Sequence, residues 1–207
     1  LIIGSNTEIT DKGNKKFFNS LSVYDNKLNL LSSYDKIKLV PFGEFLPFEK
    51  VLKRLGLKSL TNNYQSFSRG EERKIINIEK KNFSLKILPL ICYEIIYSGK
   101  LFDKADFDFI VNISEDGWFG RSIGPKQHFS HSILRAIESG KYVIRSSNNG
   151  IASIINPLGV VEQIIDFGQS GYLDLNKINK MQPTIFSKFK NKIFGLLILL
   201  YIFLIFS

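Results

Sequence analysis

Apolar residues fall along this chain in short dense runs parted by polar turns, with few long amphipathic stretches. Runs of this kind, rich in Ile, Val, Phe and Tyr, predict strands. They stand at 1–4, 17–24, 28–34, 85–91, 107–113, 142–146, 150–156, 160–165 and 171–175. Asp25-Asn26-Lys27 predicts a hairpin turn, and Pro157-Leu158-Gly159 separates two late strands. Helical periodicity is clear once. Phe129, Ile133, Ala136 and Ile137 recur at i, i+4, i+7 and i+8, which predicts a helix over 127–140 with those four on its apolar face. Pro125 stands near its start and Gly140 ends it. Shorter helices are predicted over 49–57 and after Cys92, through Ile95 and Ile96. Strands mixed with helices predict a layered α/β sandwich. Long loops fall at 43–73 and 114–126, and long loops in a compact domain commonly carry function.

The last apolar run differs in kind. Ile193 to Ser207 holds no charge and shows no polar face, and Lys188, Lys190 and Lys192 precede it. A lipid-embedded segment fits that pattern better than a core helix. The expected organisation is one domain over 1–184 followed by a transmembrane segment over 185–207, although a span needs about 20 apolar residues. The chain opens on an apolar strand without Met and without a signal-peptide pattern, and both ends read as cut.

Composition excludes several classes. At 44% hydrophobic and 23% charged residues the chain is not disordered. One cysteine excludes an intrachain disulfide and a C-x-x-C pair. Both histidines, His128 and His131, share the predicted helix, so no metal centre is expected. The net charge of +9 is uneven: +7 over residues 1–100, −1 over 101–184 and +3 over 185–207. A basic front half faces nucleic acid or anionic lipid, or is simply solvated. No aromatic signature interleaves the lysines, so nucleic acid is not an expected partner.

Three residues carry candidate chemistry. Cys92 follows the apolar run Ile87–Ile91 and precedes Tyr93-Glu94. A cysteine leaving a buried strand at a helix start is held by the sheet and lies near first-turn N–H groups, which favours a nucleophilic thiolate. The alternative is a small buried apolar residue. Lys36 sits among apolar neighbours and must find an anion there, such as a thiolate or an oxyanion, or else lie on a solvated strand edge. Glu44 follows Gly43 in a proline-bounded turn that aims its carboxylate. No Ser-His-Asp arrangement stands out.

Six ordered blocks carry a resemblance. They are Tyr34-Asp35-Lys36 running to Pro41-Phe42-Gly43-Glu44-Phe45, Ser66–Gly70, Ile91-Cys92-Tyr93-Glu94, Asp116-Gly117-Trp118-Phe119-Gly120, Gly124–Phe129, and Arg145-Ser146-Ser147-Asn148-Asn149-Gly150. On these the chain resembles the nitrilase (carbon–nitrogen hydrolase) superfamily, and within it is similar to the apolipoprotein N-acyltransferases, bacterial membrane enzymes of lipoprotein maturation. The resemblance implies a nitrilase-like α/β/β/α sandwich with a Cys-Glu-Lys triad and no cofactor. It implies Cys92 as nucleophile, Lys36 as the oxyanion-stabilising lysine and Glu44 as a second glutamate supporting proton transfer. Tyr93 and Glu94 would shape the acyl pocket, and the Tyr93 N–H would serve the oxyanion. Trp118 and Phe119 would lean into the lipid interface, or else pack in the core.

Two departures are visible. The family's proton-accepting glutamate lies upstream of anything resembling Leu1–Ser5, so the sandwich is expected to be incomplete at its N-terminus and inactive as it stands. Glu115 stands where the family usually has Asn. The implied reaction moves an acyl chain from a phospholipid, through a Cys92 thioester, to the amine of a diacylglyceryl-cysteine on an apolipoprotein. The implied location is the bacterial inner membrane with the domain on the periplasmic side, although lysines preceding a span favour the cytoplasm. A nitrilase-type amidase acting on a small amide, and a non-catalytic membrane-tethered module, are the alternatives.

Overall fold

The computed structural model describes residues 1–11, 13–48, 54, 66–80 and 83–206. The chain divides into two units, Leu1–Ile76 and Asn77–Ser207.

The first unit is built on a three-stranded antiparallel sheet, β1 (Ile2–Asp11), β2 (Asn14–Tyr24) and β3 (Leu30–Asp35), in that order. β1 runs well past its apolar start because polar Ser5–Asp11 pairs residue for residue with β2. Backbone ladder bonds, which hydropathy does not report, extend it. Phe18, Leu21, Val23 and Tyr34 are buried. The expected turn forms at Asp25, whose Oδ1 accepts the Lys27 and Asn29 N–H groups, both at 2.8 Å. The helix expected over 49–57 falls, save for Arg54, outside the described residues.

The second unit carries a six-stranded sheet ordered β4 (Ile76–Lys80), β5 (Phe83–Ile91), β6 (Phe109–Glu115), β7 (Tyr142–Asn148), β8 (Ala152–Ile155) and β9 (Val161–Ile165). β5, β6 and β7 are parallel, and β7, β8 and β9 are antiparallel. Parallel strands are buried on both faces and so read as continuous apolar runs. Ile87, Leu88, Leu90, Ile110 and Val143 accordingly form the floor of the core. β4 escapes that signal because Ile-Asn-Ile-Glu-Lys is short and half polar. No strand forms at 171–175. There the Gln163 side chain brackets Asp174, accepting its N–H and donating to its carbonyl. A side chain replaces the ladder.

Helix α1 (Gly124–Ser139) begins three residues before the expected start. Pro125 fits the first turn because no intrahelical N–H bond is needed there. The buried face of α1 is not the expected one. His128, Ser132, Arg135, Ala136 and Ser139 point inward, while Ile137 is 40% exposed. Ile133 and Ile137 instead cover the β8–β9 turn, where a Cβ on Gly159 would come within 2.7 Å of Ile137.

The expected transmembrane segment is not found. Residues 185–206 form α2 (Ile185–Phe189) and α3 (Lys192–Phe206), separated at Lys190, whose φ is +54°. α3 spans roughly 22 Å at about 1.5 Å per residue. Among the described residues no helix is long and apolar enough to cross a membrane.

Gly140 closes α1 at φ +65°, and a Cβ there would stand 2.7 Å from the Gln182 carbonyl oxygen. Gly140→Ala should therefore lose more than about 1 kcal/mol of stability in a denaturant titration.

Candidate active site

β5 delivers Cys92 to its C-terminal end, where Cys92–Ile96 forms a single five-residue 3₁₀ turn in place of a longer helix. Cys92 is half-buried and has φ +50°, a left-handed conformation. Such a conformation costs a non-glycine residue about 1–3 kcal/mol and persists only when its surroundings impose it. Those surroundings are visible. Glu94 is fully buried and accepts the Ile91 N–H at 3.0 Å, bracing the turn from inside. The Cys92 carbonyl accepts from Asn112 Nδ2 at 3.4 Å and lies 3.2 Å from His128 Nε2.

Behind that carbonyl lies a polar cluster that contributes nothing to an apolar pattern. The parallel register sets Leu90 opposite Asn112, and Asn112 opposite Arg145. Asn112 Nδ2 donates to the Leu90 carbonyl at 3.1 Å, and Arg145 Nη1 donates to Asn112 Oδ1. Arg145 Nη2 pairs with Asp116 Oδ2 at 2.6 Å, and its Nε donates to the Ile151 carbonyl at 3.1 Å. Asp116 Oδ1 accepts from Ser114 at 2.6 Å and lies 2.9 Å from His128 Nδ1. Asn112, Asp116, His128 and Arg145 are each at most 3% exposed. Gly150 is required beside them, since a Cβ there would stand 2.4 Å from Asp116 Oδ2.

Burial alone would raise the Asp116 pKa. The hydrogen bond to His128, the Arg145 charge and the Ser114 hydroxyl outweigh it and hold the carboxyl well below the ordinary range. Burial lowers the pKa of Arg145, and Asp116 opposes that shift, as does the charge of Cys92. His128 Nε2 faces a carbonyl, which only accepts, so that nitrogen carries a proton.

In the first unit Lys36 leaves the end of β3 and is 1% exposed. Its Nζ lies 2.8 Å from both Glu44 carboxylate oxygens. Glu44 also accepts from Asn19 Nδ2 and from the Val40 N–H, each at 2.8 Å. The Val40–Glu44 turn, in which the Glu44 N–H returns to the Val40 carbonyl at 2.8 Å, points the carboxylate back at the lysine. The structure thus brings together Lys36 and Glu44 from the predicted set. The anion that Lys36 requires is Glu44.

The remaining predicted residues separate by environment. Tyr93 is partly exposed, with its ring 6.1 Å from His128 and edge-on to Tyr97 at 6.4 Å. Trp118 is 70% exposed, whereas Phe119 is half-buried with its ring 5.5 Å from His128. Glu115 accepts the Gly117 N–H at 2.8 Å and also binds the Asn148 and Asn149 side-chain amides. The loop closes on a carboxylate in place of an amide. Among the described residues no group of three or more His, Cys, Asp or Glu is placed to hold a metal ion.

His128, Arg145, Asp116 and Gly150 lie inside the ordered blocks but carry no isolated charge or thiol among apolar neighbours to mark them. A signal was available in the i, i+4, i+7, i+11 polar stripe of His128, Ser132, Arg135 and Ser139. It was masked by the apolar stripe beside it.

Asp116→Asn leaves the buried Arg145 charge without its counterion and should cost about 3–5 kcal/mol. The Asp116 pKa is depressed by folding, so its stabilisation is full above the unfolded value near 3.9 and declines as pH falls below it. Denaturant titrations between pH 6 and pH 3 should show that decline in the wild type and a smaller one in the variant.

The carbon–nitrogen hydrolase family matches residues 1–174. An apolipoprotein N-acyltransferase from Bradyrhizobium diazoefficiens is 38% identical over 172 residues, covering 83% of this chain and 32% of that protein. The chain thus spans about a third of the length of such curated relatives. Among solved structures, Nit3 of Saccharomyces cerevisiae, a member of the nitrilase superfamily, superposes with a TM-score of 0.56 at 17% identity, covering 82% of this chain and 57% of its own. A CN-hydrolase superfamily protein from Xanthomonas campestris gives 0.54 at 17% identity, covering 93% and 66%. At such identity the likeness speaks for the fold.

Proposed function

This chain belongs to the carbon–nitrogen hydrolase family, and from that premise we propose that it carries the acyl-transfer site of lipoprotein N-acylation, with Cys92 as nucleophile. The observation that carries this reading is Cys92 itself. It is a half-buried residue in a left-handed conformation at the end of a buried strand, on a turn braced by buried polar groups. A cysteine serving only as a small apolar residue has no need of that strain.

In the proposed reaction the Cys92 thiolate attacks an ester carbonyl of a phospholipid. The C–O bond breaks, lysophospholipid leaves, and an acyl thioester remains on sulfur. The amine of an S-diacylglyceryl-cysteine then attacks the thioester, the C–S bond breaks, and the amide forms with the thiol regenerated. Two steps through one covalent intermediate suit two lipid substrates too bulky to occupy one site together. By the family motif, Lys36 stabilises the oxyanion and Glu44 supports proton transfer. The bidentate Glu44 pairing holds the buried Lys36 side chain in one orientation, as that role requires. Tyr93, Trp118 and Phe119 are proposed to border the acyl chain, and Glu94 supports the same site by bracing the Cys92 turn. The kinship to apolipoprotein N-acyltransferases supports this substrate class over small amides.

Both substrates are lipids, so the site is proposed to work at a membrane face, on the periplasmic side as in the family. The described side chains of α3, apolar after Lys192 and exposed, fit an apolar surrounding.

Incubating the intact protein with phospholipid vesicles should add the mass of one acyl chain, removable by neutral hydroxylamine and transferable to a diacylglyceryl-lipopeptide. Cys92→Ala should abolish the adduct and lower transfer by about a thousandfold or more. Wild-type transfer in that variant would overturn the reading.

A further inference from the structure

His128 has no part in the chemistry above, yet it is closely held beside Cys92. It is 3% exposed. The rings of Tyr93 and Phe119 stand 6.1 and 5.5 Å from its own. Asp116 Oδ1 stands 2.9 Å from its Nδ1, and Arg145 Nη2 lies 3.2 Å from the same nitrogen. Its Nε2 lies 3.2 Å from the Cys92 carbonyl. Because that oxygen only accepts, Nε2–H donates to it. The same oxygen takes a second, longer bond from Asn112. Two buried donors thus converge on the carbonyl of a residue that the backbone alone would not leave at φ +50°. The chain from Arg145 through Asp116 to His128 ends on that oxygen.

We propose that His128 is a positioning residue for the nucleophile: its Nε2–H pins the Cys92 carbonyl and so holds the left-handed turn that presents the thiol and the following N–H groups. Asp116 fixes the ring so that Nε2 and not Nδ1 meets the carbonyl. The proposal rests on Cys92 being the reactive thiol, and it predicts which of the two ring nitrogens matters. A glutamine reaches to the place of Nε2 and restores the donor to Cys92. An asparagine reaches only to the place of Nδ1 and restores the bond to Asp116.

The test compares His128→Gln with His128→Asn in the intact protein. The readout is the second-order rate of Cys92 alkylation by iodoacetamide, with thermal midpoints measured alongside. His128→Gln should react within about threefold of the wild type, and His128→Asn at least tenfold more slowly. The acyl-transfer kcat should follow the same order with KM unchanged. A general structural role would not favour the glutamine. Equal rates in the two variants, the reverse order, or a wild-type rate in His128→Asn would each overturn the proposal. Should His128→Asn fail to fold, His128→Leu, which also lacks the donor, takes its place under the same criteria. A His128→Gln protein that does not fold counts against the proposal, since the Nε2 donor is what the site is held to need. Alkylation requires no acyl donor. A wild-type protein that alkylates in the proposed order yet transfers no acyl group would leave the positioning role standing and overturn the function. Acyl transfer with no such order would do the opposite.

Discussion

A guanidinium buried in a sheet cannot stand alone. Removing it from water costs several kcal/mol unless a counterion and hydrogen-bond acceptors take its place. In this protein the guanidinium is that of Arg145, and much of the second unit is arranged to receive it. Asp116 supplies the charge, Asn112 and the Ile151 carbonyl supply acceptors, and Ser114 and His128 satisfy what remains of Asp116. The requirement reaches into the backbone. Gly150 must be without a side chain, and β6 and β7 must hold their register. A slip of one residue would send Asn112 and Arg145 to opposite faces of the sheet. A cluster of this kind specifies one arrangement more sharply than an apolar contact does, because every wrong arrangement leaves a buried polar group unpaired.

The first unit meets the same problem with fewer parts. Lys36 is buried, but its counterion lies eight residues along the chain on a tight turn, and both carboxylate oxygens take the ammonium. Local chain geometry satisfies that pair, whereas the Arg145 cluster needs three strands and a helix to meet. The difference matters for chemistry. The local pair joins two side chains, and the distributed cluster reaches the backbone carbonyl of Cys92. In the proposed reaction both are devices of pre-organisation, fixing groups before any substrate arrives so that little is reorganised during the reaction.

Much of this was legible in the sequence. The apolar runs at Ile87–Ile91, Phe109–Ile113 and Tyr142–Ile144 marked the parallel strands, since strands buried on both faces have no polar alternation to hide them. Cys92, Lys36 and Glu44 stood out as isolated reactive or charged groups among apolar neighbours. The errors came where burial and hydropathy part company. Ser5–Asp11 is strand because the backbone pairs, and the buried side of α1 is largely polar.

What the sequence determined by itself was local: the strands buried on both faces, the Asp25 turn, which family the ordered blocks belong to, and which residue is the reactive thiol candidate. Those properties depend on neighbours a few positions away, and one-dimensional patterns record them. The tertiary structure alone decided that His128, Asn112, Asp116 and Arg145 meet, and that two of them close on the Cys92 carbonyl. Their meeting depends on strand register and on the rotation of one helix about its axis. Both are set by the collective satisfaction of buried charges, and no short window of residues contains them.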